Sequence, residues 1–162
     1  MKAKSLKKVL IAIDYDPTAQ KVAESGFSLA KSLDAEIVLL NVVSYPFFAP
    51  APEYSPIMGF SGYMDMNPAQ ADATEFQKES ARLFLEKSKV HLGEESIITM
   101  VKSGDFADTI LETAKETEAD IIIMGSHSRK WLENIVMGSV TEKVLHHTSI
   151  PVVIIPTGLK RG

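Results

Sequence analysis

Two kinds of apolar run alternate along this chain. The first kind is short and continuous: Lys8–Ile13, Ala35–Val43, Ser96–Val101, Ile121–Met124 and Pro151–Ile155. Apolar residues follow one another there without polar alternation, which is the pattern of strands buried on both faces of a parallel sheet. The second kind recurs at helical spacing. Val22, Phe27, Ala30 and Leu33 predict a helix over Thr18–Leu33, and Phe76, Ala81, Leu83, Phe84, Val90 and Leu92 predict one over Ala69–Leu92. Ala107, Ile110, Leu111 and Ala114 predict the inward face of a third, and a fourth is expected over Val140–His147. Punctuation agrees with these bounds. Asp16 and Pro17 suit the cap and first turn of the first helix, Gly93 suits the end of the second, and Asp105 suits the cap of the third. Strand and helix therefore alternate, which predicts a doubly wound α/β fold around a five-stranded parallel sheet with right-handed crossovers.

One stretch breaks the alternation. Residues 44–68 are rich in proline, methionine and aromatic side chains, and they are longer than most connections inside a compact domain. They are read as an insert in a single domain spanning 1–162. At 162 residues the chain is large enough to bury a substantial core. A net charge of −4 argues against a nucleic-acid or anionic-membrane partner, and the four lysines of Met1–Lys8 read as a solvated lead into the first strand. No apolar run approaches a membrane span and no signal peptide is apparent. The chain has no cysteine, so a disulfide framework, a thiolate metal site and a cysteine nucleophile are all excluded. A cytoplasmic protein is expected.

In an open parallel sheet, ligands bind beyond the carboxyl ends of the strands. Few residues reach that edge here. Asp14 follows the first strand; it is either a turn residue or a carboxylate that accepts from a ribose hydroxyl or holds a divalent cation such as Mg²⁺ through water. Val42 ends the second strand. Met124, Gly125 and Ser126 end the fourth, and His127 lies in the loop beyond as a candidate phosphate neighbour. Gly125 offers close backbone approach or a positive φ. Gly138-Ser139 opens the last helix. Ser139 and Glu142 have the spacing of a capping box, yet a serine at a helix start equally offers its hydroxyl and adjacent N–H groups to a phosphate. Spacing alone leaves both readings open. His146-His147 falls in a last helical turn, where cations suit the helix dipole.

Several chemistries lack their motif. There is no G-x-x-x-x-G-K-S/T, so no P-loop, and no G-x-G-x-x-G after the first strand, so no dinucleotide fingerprint. A phosphoacceptor receiver would want a lysine after the fifth strand, where Pro156-Thr157 stands. No serine–histidine–aspartate arrangement surrounds His127.

Gly125-Ser126-His127-Ser128, nine residues, then Gly138-Ser139 resembles the Gly-x₂-Gly-x₉-Gly-Ser/Thr nucleotide motif of the universal stress protein family. Val9–Asp14, Leu39–Val43, Gly138–Leu145 and Pro151–Ile155 resemble further signatures of that family, so the likeness covers nearly the whole chain outside the insert. The resemblance implies a Rossmann-like, adenine-nucleotide α-hydrolase-like fold, a homodimer paired through the last strand, and, in one subgroup, bound ATP or AMP. By motif position Ala12, Ile13 and Asp14 would line the adenosine end and Val42 would contact the adenine. Gly125, Ser126, Ser128 and Arg129 would wrap the phosphates from one side; Gly138, Ser139, Val140 and Thr141 would do so from the helix start. Ser128 departs from the pattern, standing where the family has its second glycine. A left-handed backbone at that position costs a non-glycine residue roughly 1–2 kcal/mol. The function expected is a stress-response protein holding ATP or AMP as a regulatory ligand, with at most slow hydrolysis. The alternative is a dimeric scaffold of the same fold that holds no nucleotide.

Overall fold

In a computed structural model, residues 2–14, 18–44, 68–126 and 138–157 are described. They form five strands and four helices in the order β1 (Lys8–Ala12), α1 (Ala19–Ser32), β2 (Glu36–Val43), α2 (Pro68–Leu92), β3 (Ile98–Ser103), α3 (Phe106–Glu116), β4 (Ile121–Gly125), α4 (Ser139–His147) and β5 (Val152–Ile155). All strands are parallel, in the spatial order β3-β2-β1-β4-β5. The chain runs outward from β1 to β3, then returns to the other side of β1 for β4 and β5. The switch point therefore lies between β1 and β4.

The continuous apolar runs have the cause expected of them. Side chains of one strand alternate between two cores. Val9, Ile11, Leu39 and Ile123 pack on one face with α1 and with Leu85 of α2. Leu10, Val38, Leu40 and Ile122 pack on the other with Ala107, Ile110 and Ala114 of α3 and Val144 of α4. Both faces of the central strands are covered, so both phases of the alternation must be apolar.

The clearest departures from expectation lie in β3, β1 and α2. β3 begins at Ile98 rather than Ser96 and runs on to Ser103, because its ladder with β2 spans Val38↔Ile98 to Val43↔Ser103. Ile97 is buried just ahead of it. β1 is assigned only to Ala12, although the Ile13 N–H still donates to the Leu40 carbonyl at 2.9 Å. In α2, Phe76, Leu83 and Val90 lie outside the core and are exposed, whereas Ala81 and Leu85 are buried. The expected caps Gly93 and Asp105 are both present. Gly93 adopts φ +69° and donates its N–H to the Lys89 carbonyl at 3.0 Å. Asp105 accepts the Asp108 N–H at 3.0 Å and the Lys143 ammonium at 3.0 Å; these contacts, the backbone bond foremost, hold its carboxyl below the usual carboxylate range. Asp16 and Pro17 lie outside the described residues; α1 begins after Thr18, whose carbonyl accepts from the Val22 N–H at 3.2 Å.

One ion pair gives the fold an acid-sensitive tie. Lys31 of α1 donates to Glu94, beyond the end of α2, at 2.8 Å, and the Ser96 hydroxyl donates to the same carboxylate at 2.8 Å. Led by the Lys31 hydrogen bond, these contacts pull Glu94 from 4.5 to about 2. A carboxylate that is more acidic folded than unfolded stabilises the fold above its unfolded value and loses that contribution as pH falls through its folded one. Urea melts are therefore expected to weaken between pH 4.5 and about 2, with Glu94→Gln giving a shallower fall across that window. An unchanged slope in the variant would contradict the tie.

Candidate functional site

A cavity of about 850 Å³ opens at the carboxyl edge of the sheet, across the switch point. That is ample for a nucleotide-sized ligand. Its floor is the ends of three strands: Ala12, Ile13 and Asp14 beyond β1, Leu40 to Val43 of β2, and Met124 and Gly125 of β4. Its walls come from helix starts. Val140 and Thr141 of α4 stand on one side with Phe106 and Ile110 of α3; Phe76, Gln77 and Ser80 of α2 face it from the other. The lining is mostly apolar. Among the described residues that line it, Asp14 is the single charged one.

A set of hydrogen bonds fixes the edge. The Asn41 side-chain amide is buried and donates to the Ile13 carbonyl at 2.9 Å, tying the chain beyond β1 to β2. Ser126 N–H donates to the Ile155 carbonyl at 2.9 Å, and Gly138 N–H donates to the Ser126 carbonyl at 2.9 Å. The buried Thr141 hydroxyl donates to the Gly125 carbonyl at 3.1 Å. The start of α4 is thus held directly against the end of β4.

The helix start differs from the expected capping box. Gly138, not Ser139, is the cap: it has φ −63° and ψ 154°, and the Glu142 N–H donates to its carbonyl at 3.0 Å. Ser139 is the first helical residue, so it is one position too far along to fold back as the cap. Glycine is a tolerated cap but brings no side-chain acceptor, and no side-chain cap bond is made. The first-turn N–H groups of α4 therefore lack the serine acceptor that the spacing had suggested, and a helix start in that condition favours an anion.

Of the residues predicted from sequence, the structure brings Ala12, Ile13, Asp14, Val42, Met124, Gly125, Val140 and Thr141 together as cavity lining. Ser126, Gly138 and Ser139 adjoin the cavity without lining it. The Ser126 hydroxyl is engaged behind the edge, accepting the Thr157 N–H at 3.0 Å and lying 3.2 Å from the Thr157 hydroxyl. His127, Ser128 and Arg129 lie outside the described residues. Thr157, Asn41, Phe76 and Phe106 line the cavity without having been singled out. Asn41 sits between Leu39-Leu40 and Val42-Val43, and a polar residue inside an apolar strand was the available signal for it.

The model of the universal stress protein family matches residues 5–156, nearly the full length of the described fold. The chain belongs to the universal stress protein family. Among its relatives, Universal stress protein MJ0531 of Methanocaldococcus jannaschii is 30% identical over 155 residues, covering 92% of this chain and 81% of that protein. The solved structure of universal stress protein UspA from Lactobacillus plantarum has a TM-score of 0.75 at 18% identity, covering 94% of this chain and 99% of that one. The crystal structure of a universal stress protein in complex with cAMP has a TM-score of 0.62 at 16% identity, covering 96% and 100%. At those identities the two structures speak for the fold, the five-stranded Rossmann-like sheet described above. No helix among the described residues is long and apolar enough to cross a membrane.

Proposed function

We propose that this universal stress protein binds an adenine nucleotide, ATP or AMP, as a regulatory ligand in the carboxyl-edge cavity. One observation carries the reading: an apolar cavity of about 850 Å³ at the switch point, with the start of α4 in its wall. An adenine ring suits the apolar floor between Ala12 and Val42, where Phe106 and Ile110 add surface. Asp14 stands at the β1 end for the ribose hydroxyls, or for Mg²⁺ through water. The N–H groups of Ser139, Val140 and Thr141 face the phosphates, with Ser126, His127, Ser128 and Arg129 and the glycines of the motif completing their surroundings. That another universal stress protein is known in complex with cAMP supports a nucleotide as the ligand class. The site is read as a ligand site with at most slow hydrolysis, since no lysine or arginine occupies a P-loop position.

The protein is further read as a cytoplasmic homodimer paired through β5. β5 stands at one end of the sheet and offers an unpaired edge among the described strands. The lack of cysteine fits a reducing compartment.

A second reading, a dimeric scaffold that holds no nucleotide, is favoured by Ser128 in place of the motif glycine. Calorimetry separates the two. Titration with ATP and with AMP, each with and without Mg²⁺, is expected to give saturable binding at millimolar concentration or below. Absence of heat at millimolar ATP with Mg²⁺ would leave the scaffold reading standing.

A further inference from the structure

β1 and β2 part where the cavity enters the sheet, and a side chain marks the place. Their ladder ends at Ala12↔Leu40, with one further bond from the Ile13 N–H to the Leu40 carbonyl at 2.9 Å. β2 stays paired with β3 as far as Val43↔Ser103. The N–H and C=O of one strand residue point to the same neighbour, and successive residues alternate between neighbours. The main chain of Leu40 faces β1, so that of Asn41 faces β3 and that of Val42 faces β1 again. Carried one step further, the ladder would have the Val42 N–H donate to the Ile13 carbonyl. The Asn41 side-chain amide donates to that carbonyl instead, at 2.9 Å.

Stability does not ask for an amide at this position. Asn41 is 1% exposed and stands between Leu39-Leu40 and Val42-Val43. Its Oδ1 is buried with no hydrogen-bond partner among the described residues, so half of the amide is desolvated without return. A leucine has nearly the same shape and would bury without that penalty. It would also leave the Ile13 carbonyl to the Val42 N–H, closing the ladder by one step. What the asparagine supplies is a donor that reaches beyond its own backbone. The Ile13 carbonyl is satisfied while the strands stay apart, as a buried carbonyl requires. The Val42 N–H and carbonyl are left on the side of the cavity that Ala12, Ile13, Asp14 and Val42 line.

We propose that Asn41 is a positioning residue for the nucleotide: it ends the β1–β2 ladder one step early and so keeps the main chain of Val42 open to the base. This role rests on the nucleotide reading above, and it assigns the opening of the site to a residue that acts through Ile13 and Val42. Asp14 follows directly on Ile13, so the same bond sets where its carboxylate leaves the sheet. Closing the ladder would engage the Val42 N–H and draw Ile13 and Asp14 toward β2, narrowing the cavity at its floor.

Amide hydrogen exchange, urea unfolding and ATP calorimetry of the full chain, wild type beside Asn41→Leu, test this together. Without ligand, the Val42 amide is expected to exchange about tenfold more slowly in the variant, because the ladder closes on it. ATP is expected to bind the variant about tenfold more weakly, at a urea midpoint no lower than that of the wild type. An asparagine that served structure alone would give the reverse on removal, a lower midpoint and faster exchange. Asn41→Val makes the same change of amide for hydrocarbon and carries the test should the leucine variant not fold. Variant ATP affinity within about twofold of wild type, or a Val42 amide no slower to exchange, would overturn the role of Asn41 and leave the nucleotide reading standing. Absence of ATP binding by the wild type would remove the nucleotide reading, and the role of Asn41 with it.

Discussion

Leu39→Ala is expected to lower the unfolding free energy by roughly 2–5 kcal/mol. Leu39 stands in the middle of β2, in register with Ile11 on one side and Thr99 on the other, and is fully buried. It belongs to the core shared by β1, β4, α1 and Leu85 of α2. Strands on both sides and helices above hold its surroundings in place, so the space left by an alanine cannot readily close. Domains of this size are stable by about 5–15 kcal/mol, so the loss is a large part of the whole. Leu83→Ala makes the control. Leu83 is also a leucine in a regular element, yet its exposure limits the expected cost to about 0.5 kcal/mol in the dilute monomer. Urea unfolding of both variants checks the pair, and equal losses would contradict the assignment of faces.

Gly125→Ala is expected to cost roughly 1–3 kcal/mol of stability and to weaken nucleotide binding about tenfold. The reason is space. A Cβ on Gly125 would lie 2.8 Å from Thr157 Cγ2 and 3.1 Å from Val22 Cγ2. Gly125 is not among the residues with positive φ, so of the two uses its type allowed, close approach is the one the fold exploits. Thr157, Val22 and Gly125 all line the cavity, and the Gly125 carbonyl accepts the Thr141 hydroxyl that seats α4. A methyl inserted here must displace the walls where the nucleotide is read to sit. Thr157→Ser removes the closer methyl but keeps a hydroxyl beside Ser126. Added to Gly125→Ala, it is expected to return part of both losses. A double variant with strictly additive losses would show that the contact with Thr157 is not the cause.

These contrasts mark what a linear sequence can and cannot disclose. The sheet was legible because burial on both faces writes itself as unbroken apolar runs, and all five strands and four helices lie where those runs and their capping residues put them. Asp105 and Gly93 were legible because their roles are local, each resting on a bond within one turn of helix. The exposure of Leu83 was not legible, because the face a helix presents to the core depends on which neighbour it meets. The start of α4 was misassigned by one residue: Ser139 and Glu142 have capping-box spacing, but the bond from Gly138 N–H to the Ser126 carbonyl fixes the glycine as cap. The strand ends that floor the cavity were found because topology sends them to one edge. Phe76, Phe106 and Thr157 were missed because they reach it from elements with no motif of their own, and only the packing of helices over the sheet brings them there.

The central claim is that the carboxyl-edge cavity holds the nucleotide. Backbone amide chemical shifts recorded during an ATP titration test it most directly. The account predicts the largest shifts at Ser139, Val140 and Thr141 in the first turn of α4 and at Ile13, Asp14 and Val42 on the cavity floor. Shifts confined to the opposite edge, around Asp34 and Glu118, or no shift at millimolar ATP, would contradict it.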